Sequence, residues 1–150
     1  GFFAVAAAAA GAVTSSLGRS QAYLDWTREN FRLNGIDPTN HYFCKGDTFH
    51  WRRRFAKQTR RFDYIILDPP TFSRDDKGKI FRVEKNYGQL FELASACLSP
   101  EGKILACTNF RGISVSEFMK QLKGAHLKVS PMPEDFTDTP YLKSVWATFC

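Results

Sequence analysis

The chain has 150 residues, 43% of them hydrophobic and 15% aromatic, which suits a single domain with an ample core; no repeat, linker or low-complexity tract interrupts it. A formal net charge of +6 permits an anionic partner without requiring one. Four scattered cysteines (Cys44, Cys97, Cys107, Cys150) and three histidines (His41, His50, His126) have no metal-ligand spacing, so neither a metal site nor a disulfide framework is expected and a reduced, cytoplasmic compartment fits best.

In chain order, "GFFAVAAAAAGAV" is apolar from its first residue, too short to span a membrane, and lacks the positive flank of a signal peptide. It predicts a buried, Ala-rich helix over 2–11. A short strand follows at 12–18. Residues 20–35 predict a helix with Ser20 as N-cap and Gly35 as its stop, with Tyr23, Trp26 and Leu33 on one face. Residues 40–47 predict a strand ending on an acid, and 48–60 a strongly basic helix.

The next stretch, "FDYIILDPPTF" (62–72), is a short continuous apolar run that stops on Asp68. Continuous apolarity predicts a strand buried on both faces. Pro69 and Pro70 cannot donate to a ladder, so they end it and leave the Asp68 carboxylate at its carboxyl end. In open α/β sheets that edge is where ligands bind. A polar loop is expected at 71–82 and a helix at 86–100 with Tyr87, Leu90, Phe91, Ala94 and Leu98 at helical spacing. A strand at 102–109 follows, then a helix at 114–124 opened by the Ser114/Glu117 capping box, then two closing strands, "HLKVSPM" and "KSVWATFC", as a hairpin. The alternation implies an α/β fold with a mostly parallel sheet covered by helices on both faces and an antiparallel finish.

The order "AVAAAAAGA", "YLDWTRENFRLNG", "GDTFHW", "FDYIILDPPTFS", "ACTNFRG" resembles the class I S-adenosylmethionine-dependent methyltransferases, and more narrowly the bacterial large-subunit (23S) ribosomal RNA methyltransferases acting on guanine N7 or cytosine C5. The resemblance covers nearly the whole chain. It implies a Rossmann-like methyltransferase fold over 1–150 whose first strand would lie upstream of Gly1, together with an upstream RNA-binding region on a longer chain. The implied cofactor is S-adenosyl-L-methionine and the implied partner is ribosomal RNA or another structured RNA, with no membrane and no metal.

Carried over residue by residue, the resemblance makes Gly1 the last glycine of the first turn and places Asp47, with Thr48 and Phe49, at the adenine amine of the cofactor. Asp47 also reads as an N-cap for the helix after it. The family's ribose-binding acid falls on Gly18, which accepts nothing; an unpaired buried diol costs on the order of 1–3 kcal/mol. Ser16 or Ser20 is a partial substitute. Asp68, Pro69 and Pro70 would stand beside the transferring methyl group, with Phe72 stacking on an extruded target base.

Two acceptor chemistries are open. Cytosine C5 needs a thiolate to add to the ring first, and Cys107 is the cysteine placed for it. Guanine N7 has its own lone pair and needs positioning alone; "CTN", "FRG" and the closing "EDF…VW" favour it. Arg52, Arg53, Arg54, Lys57, Arg60 and Arg61 crowd one short stretch without an acid between them, a candidate phosphate-binding patch. Gly18 and the absent first strand also admit a second class of function: a catalytically degenerate scaffold within an RNA–protein assembly.

Overall fold

The structure is a computed structural model that describes residues 1–47, 55, 59–74, 78, 80–132 and 141–149. It comprises two compact units, Gly1–Arg54 and Phe55–Cys150. Among the described residues no helix is long and apolar enough to cross a membrane.

In the first unit, helix α1 (Phe2–Ala9) leads to strand β1 (Ser15–Gly18), helix α2 (Gln21–Leu33), a single 3-10 turn (Pro38–Asn40) and strand β2 (Tyr42–Lys45). The α2 boundaries follow the predicted signals. Ser20 Oγ accepts from the Tyr23 N–H at 3.4 Å, and Gly35 takes the left-handed φ of 69° that ends the helix. Its buried stripe, however, is Leu24, Thr27 and Phe31. Tyr23, Trp26 and Leu33 share the opposite, exposed face, because aromatic content alone does not set which stripe meets the sheet. The Phe31 ring packs edge-on against His41 and Phe43, joining α2 to β2. The expectation of a buried first helix is also corrected: α1 buries none of its residues, its packing within the unit is against α2, and Phe2 is 85% exposed.

The second unit holds strand β3 (Phe62–Leu67), the ribbon β4 (Phe72–Arg74) and β5 (Ile80–Arg82), helix α3 (Val83–Ser95), strand β6 (Leu98–Thr108), helix α4 (Val115–Met119), and strands β7 (His126–Ser130) and β8 (Lys143–Thr148). The main sheet runs β3-β6-β8-β7, parallel between β3 and β6 and antiparallel thereafter, so the fold is mixed α/β. Leu67, Ile104, Ala106, Val145 and Ala147 from the sheet close a core with Val83, Tyr87, Leu90 and Phe91 from α3 and with Phe118 and Leu122. The capping box at Ser114 and Glu117 forms as expected.

Three expectations change here. β3 is the end strand of its four-stranded sheet, with Tyr64 65% exposed, rather than a strand buried on both faces. Period-2 geometry then turns Ile65 and Leu67 to the core and Tyr64 and Ile66 away from it. The expected polar loop at 71–82 carries a two-stranded antiparallel ribbon instead. Finally, residues 98–100 belong to a strand, not to the preceding helix: Leu98 pairs with Phe62, and the ladder resumes at Tyr64 and Lys103 after an irregularity that includes Glu101 at φ 65°. The basic helix expected over 48–60 falls largely outside the described residues; Phe55 is helical and buried.

Candidate active site

The carboxyl ends of β3 and β6 lie side by side, with Leu67 paired to Ala106. Beyond them sit Asp68, Pro69 and Pro70 on one strand and Thr108 and Asn109 on the other. One side chain ties both ends together. The Tyr87 hydroxyl, fully buried on α3, lies 2.9 Å from the Leu67 carbonyl and 3.1 Å from the Cys107 carbonyl. A phenol has one proton, so it is shared between the two acceptors. Burial first, then the nearby Cys107 and Asp68, hold that phenol far above its ordinary pKa, and it stays a donor. The ring packs edge-on to Phe118 at 4.7 Å.

A second tie joins the loops: Thr71 Oγ1 donates to Asn109 Oδ1 at 3.1 Å. A third lies at the start of β8, where Lys143 Nζ donates to the carbonyls of Phe110 (2.8 Å) and Tyr141 (2.9 Å). Burial pushes this ammonium below its usual pKa. Thr108 Oγ1 accepts from the Phe110 N–H at 3.2 Å. The segment after β6 is thereby pinned at both of its walls.

Asp68 stands at the rim, open to solvent, while the protein behind it desolvates the carboxyl enough to raise its pKa. Phe72 is half exposed on the ribbon, with the Arg82 guanidinium 5.3 Å from its ring centroid. Cys107 is buried, with Sγ 3.6 Å from Ser144 Oγ. Burial pushes its thiol up; the Ser144 contact offsets part of that, and the Asp68 charge adds to it.

In the first unit, Gly18 and Asp47 come to one edge. β1 and β2 are parallel with Gly18 opposite Lys45, and the Gly46 N–H donates to the Gly18 carbonyl at 3.0 Å. Gly46 has φ 142°, a turn that suits glycine, and Asp47 follows it. Asp47 is an acceptor at a strand end, as an adenine amine requires. Gly18 offers no side-chain acceptor to a ribose, and Ser20 Oγ serves as the α2 cap. Among the described residues, the acceptor at Asp47 suits the adenine part of S-adenosylmethionine, and Gly18 brings no side-chain acceptor to the ribose. A Cβ at Gly1 would come within 2.7 Å of Thr27 Oγ1, so glycine there permits close packing on α2.

Thr48, Phe49, Arg52, Arg53, Arg54 and Lys57 lie outside the described residues. Of the basic patch, Arg61 is exposed, whereas the Arg60 guanidinium lies over the rings of Phe55 and Phe62 at 5.5 and 5.4 Å and packs as much as it projects. Sequence reading missed Tyr87, Asn109 and Lys143 as site residues. Two signals were present. A phenol within an otherwise apolar helical stripe must find a partner. Lys143 is in phase with Val145 and Ala147, the inward residues of its strand.

The sequence profile of the S-adenosylmethionine-dependent methyltransferases matches residues 1–128. The chain is 35% identical over 143 residues to "Ribosomal RNA large subunit methyltransferase K/L" of Desulfotalea psychrophila, covering 94% of this chain and 19% of that protein. It is 33% identical to "Ribosomal RNA large subunit methyltransferase K" of Neisseria meningitidis serogroup B, covering 91% of this chain and 39% of that one. It thus spans well under half the length of these relatives. Its fold is similar to the crystal structure of SMU.776, described as a methyltransferase complexed with SAH, at TM-score 0.89 and 30% identity, covering 97% of this chain and 42% of that chain. A methyltransferase from Streptococcus mutans gives TM-score 0.86 at 28% identity, with 97% and 41% covered.

Proposed function

We propose, from the premise that the chain belongs to the S-adenosylmethionine-dependent methyltransferase family, that it forms part of a catalytic domain that methylates a base of large-subunit ribosomal RNA, with guanine N7 as the acceptor. The RNA substrate is argued from the names of the relatives. S-Adenosylmethionine supplies an electrophilic methyl group when bound. Asp47 would hold its adenine amine.

The observation that carries the chemistry is the braced pair of strand ends at Asp68 and Asn109, fixed by the Tyr87 hydroxyl and by Thr71. N7 uses its in-plane lone pair to form the new N–C bond as the sulfur–methyl bond breaks. No proton has to leave, and the base ends with the positive charge the sulfonium had. An ionised Asp68 beside that base stabilises the charge where it develops. The rigid Pro69–Pro70 edge holds the carboxylate in place without further reorganisation. Cytosine C5 would instead need Cys107 as a thiolate, and Cys107 is buried, hydrogen-bonded to Ser144, and held in its neutral form.

The test is transfer of labelled methyl from S-adenosylmethionine to large-subunit ribosomal RNA, followed by nucleoside analysis. The expected product is 7-methylguanosine. Label in 5-methylcytidine overturns the choice of base. Cofactor binding undetectable by calorimetry, with no transfer, overturns the enzyme reading in favour of a scaffold, the outcome that Gly18 would then explain.

A further inference from the structure

The β4–β5 ribbon begins four residues beyond Asp68, at most about 14 Å along an extended chain. The Val83 N–H donates to the Thr71 carbonyl at 3.2 Å, which closes the base of the ribbon beside the Thr71–Asn109 tie. Its register pairs Phe72 with Arg82, Ser73 with Phe81, and Arg74 with Ile80. Alternation sends Ser73 and Phe81 to one face and Phe72, Arg74, Ile80 and Arg82 to the other. Phe81 packs against the core. The other four are exposed, Phe72 at 50% and Ile80 at 38%.

That outward face sets each arginine across from a large apolar side chain. The ribbon thus sets a phenyl ring and an isoleucine side by side with two cations on one solvent-facing surface. The Arg82 guanidinium covers part of Phe72. Its ion pair with Glu84 is long, 3.8 Å, with the arginine side exposed and the glutamate partly so, and neutralises it weakly. Two guanidinium groups interleaved with stacking surface match the needs of a single-stranded nucleic acid, which offers phosphates and unstacked bases together. Phe72 shares this outward face with Arg74 and Arg82, which suits a nucleotide whose base stacks on the ring while its phosphates meet the two cations.

We propose that this ribbon face binds the unpaired nucleotides flanking the target base, stacking one base on Phe72 and taking backbone phosphates on Arg82 and Arg74. The assignment rests on the RNA-methyltransferase reading and adds the surface that selects unpaired substrate.

The experiment measures cofactor binding, methyl transfer and RNA binding across a salt series for the native protein, for Arg74→Gln with Arg82→Gln, and for Phe72→Leu. Losing two phosphate contacts should flatten the slope of log affinity against log salt by about 1.4. Loss of the ring should raise the KM for RNA about tenfold. Cofactor affinity should hold in every variant. Phe72→Tyr, which keeps the ring, should bind RNA as the native protein does, and that separates stacking from folding defects. Native protein that methylates RNA while all variants keep its salt slope and KM overturns the ribbon assignment alone. Native protein that methylates no RNA overturns the reading beneath it. Variants that bind naked RNA normally but engage intact ribosomal subunits poorly would reassign the face to a protein partner and overturn the proposal.

Discussion

Two strand-end edges bear the candidate chemistry, and they are built differently. At the carboxyl ends of β3 and β6, side chains from three other elements converge: Tyr87 on both strand ends, Thr71 on Asn109, Lys143 on the carbonyl of Phe110. At the carboxyl ends of β1 and β2 the strands are joined through backbone, the Gly46 N–H donating to the Gly18 carbonyl, with Asp47 following in the chain. The first edge is over-determined, which is what the proposed holding of a carboxylate against a reacting atom calls for. Among its described residues the second presents Asp47 and, at Gly18, no side-chain acceptor. Positioning is bought at one edge, and at the other affinity is left improvable.

The largest test of that contrast is Asp68→Asn, which should lower methyl transfer on the order of a hundredfold or more, the scale of losing one preorganised electrostatic group. Cofactor affinity, read by calorimetry, should be retained. Because the folded-state carboxyl is raised, the protein takes up protons there more readily than the unfolded chain does. Any stability from Asp68 is therefore present at low pH and lost as pH rises through the raised value. Asp68→Asn should thus melt at the same or a higher temperature at neutral pH. In the native protein, transfer should fall with acidification at a pH above that of an ordinary aspartate. A native pH–rate profile flat across the acidic range would break this account.

Next in size, Tyr87→Phe removes the donor shared by two buried carbonyls at a cost of about 1–3 kcal/mol. A lower melting temperature is expected, with methyl transfer reduced more than cofactor affinity, because the strand ends it braces carry Asp68 and Asn109. Equal loss in both would reduce Tyr87 to a general core residue.

Gly18→Asp probes the weaker edge. A Cβ there meets Leu24 Cδ2 at 3.3 Å, a flexible side-chain end that has to yield only slightly. The added acceptor should tighten cofactor binding by up to about tenfold, the worth of one hydrogen bond of roughly 1.4 kcal/mol. Titration calorimetry reads it directly, and unchanged affinity would mean that another group already serves the ribose. Smallest is Cys107→Ala, where transfer should survive with a modest loss of stability from the vacated volume. Loss of activity in a folded Cys107→Ala protein would return cytosine C5 to first place.

The sequence by itself determined the elements whose signals are local. Ser20 and Gly35 bracket α2 because a cap and a left-handed glycine act within a single turn. Ser114 and Glu117 open α4 for the same reason. Pro69 and Pro70 follow directly on Asp68, where β3 has stopped at Leu67, because two consecutive residues without an N–H cannot extend the ladder. Tertiary structure alone decided which faces those elements bury. The exposure of Tyr64 depends on the sheet face it shares with Lys103, Trp146 and Lys128 being open, and the exposure of Trp26 on Leu24 and Phe31 forming the inward stripe. It also decided that Tyr87 and Lys143, distant in sequence from Asp68, brace the strand ends and the loop beside it. Hydrogen bonds spanning 20 or 33 residues leave no local pattern, since the carbonyls they satisfy are common to every residue and only the packed sheet selects which ones are reached.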